Sequence, residues 1–243
     1  MDRRSQFSAF LSALLSDDPF KGIDPDNAIP DTQGFQSPDN ATFFANVFST
    51  FRPHSLLELG SWKGTSAIMF AHHMLNYCSD PLIGCVDTWL GSLEHWTNLA
   101  WRKELCLQHG YPTLYRRFQD NVVHAGLSAH IVPLPMTTKT AIALARRSRI
   151  LVDFVYVDAS HEYHDVIDDL SGVWDLVGDD GIVVVDDYYA PEVQQAVRNF
   201  CSRQSIACGL FNTDSQWPEA LLAKSGNVRE RAVAAHLSLV DIL

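Results

Sequence analysis

Short apolar runs recur through the middle of this chain, and a stretch of helical periodicity follows each one. Ser55–Leu59, Leu82–Val86, Ala129–Leu134, Val152–Val157 and Gly181–Val185 are almost continuously hydrophobic, the pattern of strands covered on both faces. Between them, Thr65–Leu75, Thr140–Arg147, Tyr163–Leu176 and Pro191–Arg203 read as helices. Residues 88–128 are long for one crossover and predict two helices. The first carries Trp96, Leu99, Trp101 and Leu105. The second carries Phe118, Val122 and Val123 and stops at Gly126, a natural C-terminal cap. Ile206–Phe211 and Ala220–Lys224 complete the strands. Repeated strand–helix alternation of this kind predicts an α/β domain with a mostly parallel sheet and helices on both faces.

The ends of the chain differ from this core. Phe7, Phe10, Leu11, Leu14 and Leu15 fall on helical spacing and predict a docking helix, too short to span a bilayer. Two arginines precede it, but no clean small-residue cleavage motif follows, so a signal peptide is a weak reading. Residues 16–40 are rich in Pro, Asp and Gly and predict an extended loop, of the length that functional lids and linkers have. Asn40 or Thr42 then caps a helix running to about Thr50, with Phe43, Phe44, Val47 and Phe48 on one face. The organisation expected is an N-terminal helix and Pro-rich lid over 1–40, one α/β domain over 41–226 and a helical tail over 227–243.

Charge and cysteine content narrow the partners. Eighteen Lys and Arg stand against 29 Asp and Glu, a net charge of −11, which disfavours a nucleic-acid surface. The nearest thing to a basic cluster, Arg146, Arg147 and Arg149, reads as a solvated helix end. Cys78, Cys85, Cys106, Cys201 and Cys208 are odd in number and scattered, without CxxC spacing. They predict neither a disulfide framework nor a zinc site and fit a cytoplasmic protein. No membrane partner is expected, and the terminal helical segments leave room for a homodimer.

In sheets of this type, ligands bind where the strands end, so the residues just after each strand carry the chemistry. The first strand runs into LELGSWKGTS, in which Glu58 precedes Gly60 and Gly64 follows four residues later. Gly60 allows a sharp turn, and Gly64 allows a close backbone approach to a ligand. A dinucleotide loop wants glycine in the middle as well, and Trp62 stands there. An E-x-G-x-x-x-G turn suits a ligand without phosphates, with the Glu near a cation. The second strand ends in Asp87, placed to accept hydrogen bonds from ribose hydroxyls, and Trp89 could stack on an adenine. The bland alternative is a tight strand–helix turn beside an isolated surface Asp.

In these residues the chain resembles the Rossmann-like S-adenosylmethionine-dependent methyltransferases. Gly60 and its neighbours match the family's first motif, and Asp87 matches its ribose-binding acid; Trp62, often Gly in the family, is a departure. The resemblance implies a Rossmann-like, doubly wound, mostly parallel seven-stranded sheet with an antiparallel last strand. It assigns Glu58, Gly60, Ser61, Gly64, Thr65, Ser66, Asp87, Trp89 and Asp158 to the cofactor, S-adenosylmethionine; Met136 and Thr137, after the third strand, join them by topology alone.

A second group lies further on, in VDASHEYHD at the end of the fourth strand and VVVDDYY at the end of the fifth. In this fold those strands are neighbours, about 4.8 Å apart, which crowds Asp158, Asp186 and Asp187 together. Like charges so close repel or become protonated unless a cation joins them. An all-oxygen site suits Mg²⁺, or Mn²⁺, better than zinc. D-x-x-H followed by a strand-end acidic pair resembles the metal-dependent small-molecule O-methyltransferases of macrolide-sugar and cephalosporin biosynthesis, with catechol O-methyltransferase a distant cousin. The resemblance implies that Asp158, Asp186 and Asp187 hold the metal and that His161 is the general base. It covers roughly residues 40–225. Without it, Asp186 and Asp187 read as helix or turn caps, as Asp179 and Asp180 do in their loop, and His161 as a loop histidine bonded to backbone. His95 and Trp96 could line an acceptor pocket or pack as a lid.

The function expected is methyl transfer to a hydroxyl of a small molecule: a sugar, polyketide or other natural product. The alternatives are a hydroxylase-like activity on the same fold and metal site, a nicotinamide-dependent oxidoreductase, which the missing G-x-G-x-x-G disfavours, and a non-catalytic subunit, which the intact set of acids disfavours.

Overall fold

The computed structural model describes residues 2–26, 30–31, 38–206, 208–211, 218–226, 230–231 and 240–241. Eight strands form one sheet in the order β3-β2-β1-β4-β5-β7-β6-β8. They are β1 (Ser55–Leu59), β2 (Leu82–Asp87), β3 (Ile131–Pro135), β4 (Val152–Val157), β5 (Val177–Val185), β6 (Cys208–Phe211), β7 (Glu219–Ala223) and β8 (Val240–Asp241). The first five are parallel, and β7 runs antiparallel to β5 and β6. The seven expected strands are therefore present in the expected sense. Residues 240–241, expected to be helical, add a two-residue strand beside β6. Most of the remaining tail lies outside the described residues.

The helices are α1 (Arg3–Leu14), α2 (Pro38–Phe51), α3 (Thr65–Leu75), α4 (Leu93–Thr97), α5 (Leu99–Glu104), α6 (Leu114–His124), α7 (Thr138–Arg147), α8 (Tyr163–Val173) and α9 (Pro191–Gln204). The central strands bury nearly every side chain, which is why they lack polar alternation. One face packs on α1, α7, α8 and α9 through Leu57, Val86, Val155, Val183 and Phe200. The other packs on α2, α3 and α6 through Phe44, Phe48, Phe70, Phe118 and Phe154. The docking helix α1 packs one face on the sheet: Phe7 and Leu11 lie against Gly84 of β2, where an added Cβ would come within 3.0 and 3.3 Å of them.

Two boundaries depart from the sequence pattern. The second crossover holds three helices rather than two, because Asn98 ends α4 and caps α5 with its side chain. Strand β5 starts at Val177, four residues before the apolar run, and its register with β4 shifts between Val152 and Phe154. Asp179 and Asp180 lie in that exposed, irregular part of the strand rather than in a loop, and Asp180 pairs with Arg3 at 2.6 Å. Among the described residues no helix is long and apolar enough to cross a membrane.

Candidate active site

At the carboxyl ends of the parallel strands lies a cleft of about 1150 Å³. That exceeds the roughly 300–1,000 Å³ usual for one small ligand. Its floor runs from Met136 and Thr137 after β3, past Asp87 at the end of β2 and Gly60–Trp62 after β1, to Asp158, His161, Asp186 and Asp187 after β4 and β5. Leu93, Glu94, His95 and Trp101 from α4 and α5 line its mouth.

The β1 turn is braced by its own polar groups. Gly60 has φ +85°, and a Cβ there would overlap the main-chain carbonyl of Asp158, so only glycine fits. Ser61 Oγ and Ser66 Oγ each donate to the Glu58 carboxylate at 2.5 Å. Glu58 is fully buried, and burial pushes its pKa up to about 7. The expectation that Glu58 stands near a cation is corrected: it ties the turn to the start of α3 through two serine hydroxyls. Asp87 accepts the Ser61 and Trp62 amides at 3.0 and 2.8 Å on Oδ2 and the Trp89 amide at 2.7 Å on Oδ1. Burial raises its pKa, and those three donors oppose the rise. One lone pair of Oδ1 is left for a ligand hydroxyl.

Two further expectations for this end are corrected. Trp89 does not face the cleft; it is 2% exposed, packs against Tyr115 and Phe118, and donates its indole N–H to the Trp62 carbonyl at 2.7 Å. Its left-handed backbone, φ +53°, turns the ring into the core. Gly64 does not line the cleft either. At φ +84° it starts α3, and a Cβ would come within 2.9 Å of the Phe118 ring. Ser61, Thr65, Ser66, Met136 and Thr137 do line the cleft.

Lys63 is a feature the sequence pattern did not single out. It is fully buried within that turn, with Nζ 3.0 Å from both Asp31 and Glu104. Asp31 also pairs with Arg117 and is bonded on its backbone by Asn121, which reaches the Lys63 carbonyl at 2.8 Å as well. The Pro-rich segment is thereby anchored to the cofactor turn, to α5 and to α6. A buried lysine among acids leaves no periodic signature, so only coordinates reveal it.

At the other end, Val157 of β4 stands beside Val185 of β5, which places the next residues, Asp158 and Asp186, side by side. Ligand atoms of Asp158, His161 and Asp187 all lie within 4.8 Å of one another. Asp187 reaches this group through a left-handed backbone, φ +52°, a conformation that aspartate tolerates better than most residues. Asp186 is not in the group. Expected as a third metal ligand beside Asp158 and Asp187, it accepts the Tyr156 hydroxyl at 2.6 Å on Oδ2 and the Asp187 amide at 2.8 Å on Oδ1.

The electrostatics of this end are those of carboxylates short of donors. Burial and the neighbouring Asp186 and Asp187 hold Asp158 well above the usual carboxylate range, and no donor reaches its side chain among the described residues. Asp186 is pushed up to about 6, chiefly by burial. Behind them Glu219, at the start of β7, is fully buried with neither oxygen hydrogen-bonded to another residue among those described, and burial with Asp186 and Asp187 pushes it up to about 9. His161 is pulled the other way for a base: Asp187 at 2.6 Å from Nε2 and Glu94 at 3.1 Å from Nδ1 raise it to about 9. The imidazolium is thus a cation already facing the acids. A hard divalent ion fits the same oxygens, since it would relieve the repulsion that otherwise protonates Asp158.

His95 completes the mouth. It stacks on Trp62 with ring centroids 4.3 Å apart and meets Trp101 edge-on at 5.8 Å. Trp96 instead bonds its indole N–H to the Leu90 carbonyl and does not line the cleft.

With this arrangement in hand, comparison with known proteins is direct. A family model described as a methyltransferase domain matches residues 57–188, more than half of the chain, so the chain belongs to that methyltransferase family. The matched span begins in β1 and ends just past the Asp186–Asp187 pair, and therefore contains the turns on which the cleft is built. Similar solved structures share the Rossmann-like fold. An O-methyltransferase from Bacillus cereus in complex with SAH has a TM-score of 0.56 at 12% identity, over 90% of this chain and 91% of that one. TomG, an O-methyltransferase from Streptomyces achromogenes involved in tomaymycin synthesis, in complex with SAM, gives 0.55 at 15% identity over 93% and 100%. A SAH-bound methyltransferase from Podospora anserina gives 0.56 at 14% over 90% and 94%. No curated protein matches the chain in sequence.

Proposed function

We propose that this protein is an S-adenosylmethionine-dependent O-methyltransferase that uses a divalent cation, Mg²⁺ by preference, and acts on a hydroxyl of a small molecule such as a sugar, polyketide or phenol. The observation that carries the reading is the convergence of Asp158, His161 and Asp187 within 4.8 Å of one another, in the same cleft as the Gly60 turn and Asp87. S-adenosylmethionine supplies an electrophilic methyl group; the turn at Gly60–Trp62, the free lone pair of Asp87 and the Met136–Thr137 corner are placed to hold it. A divalent cation held by Asp158 and Asp187 would act as a Lewis acid that lowers the pKa of the acceptor hydroxyl.

The chain's own residues do the remaining work. His161 presents Nε2 to the acidic group; a cation on Asp158 and Asp187 would weaken its pairing with Asp187, and the neutral ring could then take the hydroxyl proton. Asp186, fixed by Tyr156 and by the Asp187 amide, holds the left-handed turn that delivers Asp187. Leu93, His95 and Trp101 exclude water at the mouth and orient the acceptor toward the floor.

The test is transfer of labelled methyl from S-adenosylmethionine to a panel of hydroxylated acceptors, with chelator and then with Mg²⁺ restored. Loss with chelator and recovery with Mg²⁺ support the reading. Full activity in chelator removes the cation from it, and conversion of the acceptor without label transfer favours a hydroxylase-like chemistry.

A further inference from the structure

We propose that the acceptor is an uncharged molecule with a broad apolar body, of polyketide or polycyclic aryl type rather than a bare sugar, and that Leu93, Trp101 and Tyr189 select it. The inference rests on the reading of the cleft as a methyltransferase site and narrows its substrate. The reacting hydroxyl would lie on the acidic floor, and the rest of the molecule under helices α4 and α5.

A surface helix normally turns its apolar side chains to the core. Neither α4 nor α5 buries a single residue. Leu93 is 63% exposed and Trp101 37%, and both line the cleft. Tyr189, beyond the end of β5, also lines it and is 42% exposed. Leu99, on the same pair of helices, is 74% exposed. Single exposed leucines are ordinary on a protein surface, whereas large apolar side chains gathered around a cleft mark a binding site. These side chains contribute nothing to the core, so what they can cover is whatever enters the cleft. The volume of about 1150 Å³ leaves room for an acceptor of some bulk beside the cofactor.

The polar groups of α4 that would recognise a sugar are already engaged. Ser92 Oγ lies 2.7 Å from His95 Nδ1, and the Trp96 indole N–H donates to the Leu90 carbonyl at 2.9 Å. Charge disfavours anionic acceptors, because an anion taken out of water needs a cation or several donors. On the acceptor half the lining carries Glu94, Glu162, Asp186 and Asp187, and His161 already faces two carboxylates. Lys63 is bonded to Asp31 and Glu104. Lys139 and Arg146 lie on α7, which follows β3 at the far edge of the parallel strands. Arg102 and Lys103, next to Trp101 on α5, do not line the cleft. A phosphate, sulfonate or carboxylate on the acceptor's body would therefore meet no free cation beneath the roof among the described residues.

The experiment measures binding apart from turnover. Calorimetry on the full-length protein, with S-adenosylhomocysteine and Mg²⁺ present, compares catechol, a vicinal naphthalenediol, the ring-sulfonated form of that naphthalenediol, and methyl rhamnoside. The naphthalenediol should bind about tenfold more tightly than catechol and about tenfold more tightly than its sulfonate, and the rhamnoside should show no measurable binding. Leu93→Ser and Trp101→Ala should each weaken the naphthalenediol about tenfold and leave S-adenosylhomocysteine affinity unchanged. Leu93→Lys puts a cation at an exposed position of the mouth and should make the sulfonate the tighter ligand, a reversal that a merely structural role would not produce. Sulfonate or rhamnoside bound as tightly as the neutral diol, no binding of either diol, or native affinities in all three variants overturn the proposal. The two readings fail separately. Label transfer from S-adenosylmethionine without this selectivity removes only the acceptor class, and selective binding without label transfer to any hydroxyl removes only methyl transfer.

Discussion

The two ends of the cleft floor are both acidic, yet they solve the problem of buried negative charge in opposite ways. Beneath β1 and β2, Glu58 receives two serine hydroxyls and Asp87 three backbone amides, so each carboxylate is satisfied by the protein itself. Beneath β4 and β5, neither Asp158 nor Glu219 receives a donor from another residue among those described, and Asp187 faces an imidazole. Leaving a buried polar group unpaired usually costs about 1–3 kcal/mol, and more for a charged group. A fold that meets this demand at one end and leaves it open at the other has reserved the open end for something it binds. The contrast separates a scaffold that shapes a hydrogen-bonding ligand from a cluster of acids that fits the cation proposed above.

That comparison can be broken most directly at the open end. Asp187→Ala and Asp158→Ala should each lower turnover by about 10³-fold or more, the equivalent of roughly 4 kcal/mol of lost charge stabilisation. Calorimetry should find S-adenosylmethionine affinity nearly unchanged. Loss of cofactor binding in these variants would show that the two ends are one site. Next in size is His161→Ala, expected to slow methyl transfer by roughly 10²–10⁴-fold at neutral pH while Mg²⁺ still binds. Near-native rates would return His161 to a purely structural role. At the satisfied end, Asp87→Asn puts an amide N–H₂ in the place of an oxygen that accepts backbone amides. Cofactor affinity should fall about tenfold, roughly 1.4 kcal/mol, with the same Mg²⁺ dependence.

The smallest effect concerns Glu219. Its pKa is raised from 4.5 to about 9 on folding, so the folded state keeps a proton that the unfolded chain releases. Stability from this group therefore declines as pH rises from about 4.5 to 9. Glu219→Gln should remove that slope. In chelator its melting temperature should exceed that of the native protein at pH 8 by about 2–4 °C, with a smaller gap at pH 5. Equal melting curves at both values would mean that Glu219 is already satisfied.

Much of this was legible in the sequence. Buried parallel strands show themselves as unbroken apolar runs, and strand ends in this architecture are where ligands sit, so Gly60, Asp87, Asp158, His161 and Asp187 could be located without coordinates. What the sequence hid was side-chain direction. Trp89 follows its strand as a cleft residue would, and a positive φ sends it inward. Asp186 and Asp187 are adjacent and chemically identical, and the left-handed turn at Asp187 decides which one joins His161. Glu94 and Lys63 were missed because their partners lie 67 and 32 positions away on other elements, and no local pattern encodes such meetings.

The crowding of Gly60 against the Asp158 main chain has a consequence for redesign. The donor and acceptor halves of the cleft share a wall made of bare backbone, with no substituent at residue 60 that could be enlarged or trimmed. The reach from one half to the other is therefore a constant of the architecture. Selection or engineering for a new acceptor must act on the roof, at Leu93, His95, Trp101 and Tyr189, where side chains are available to change.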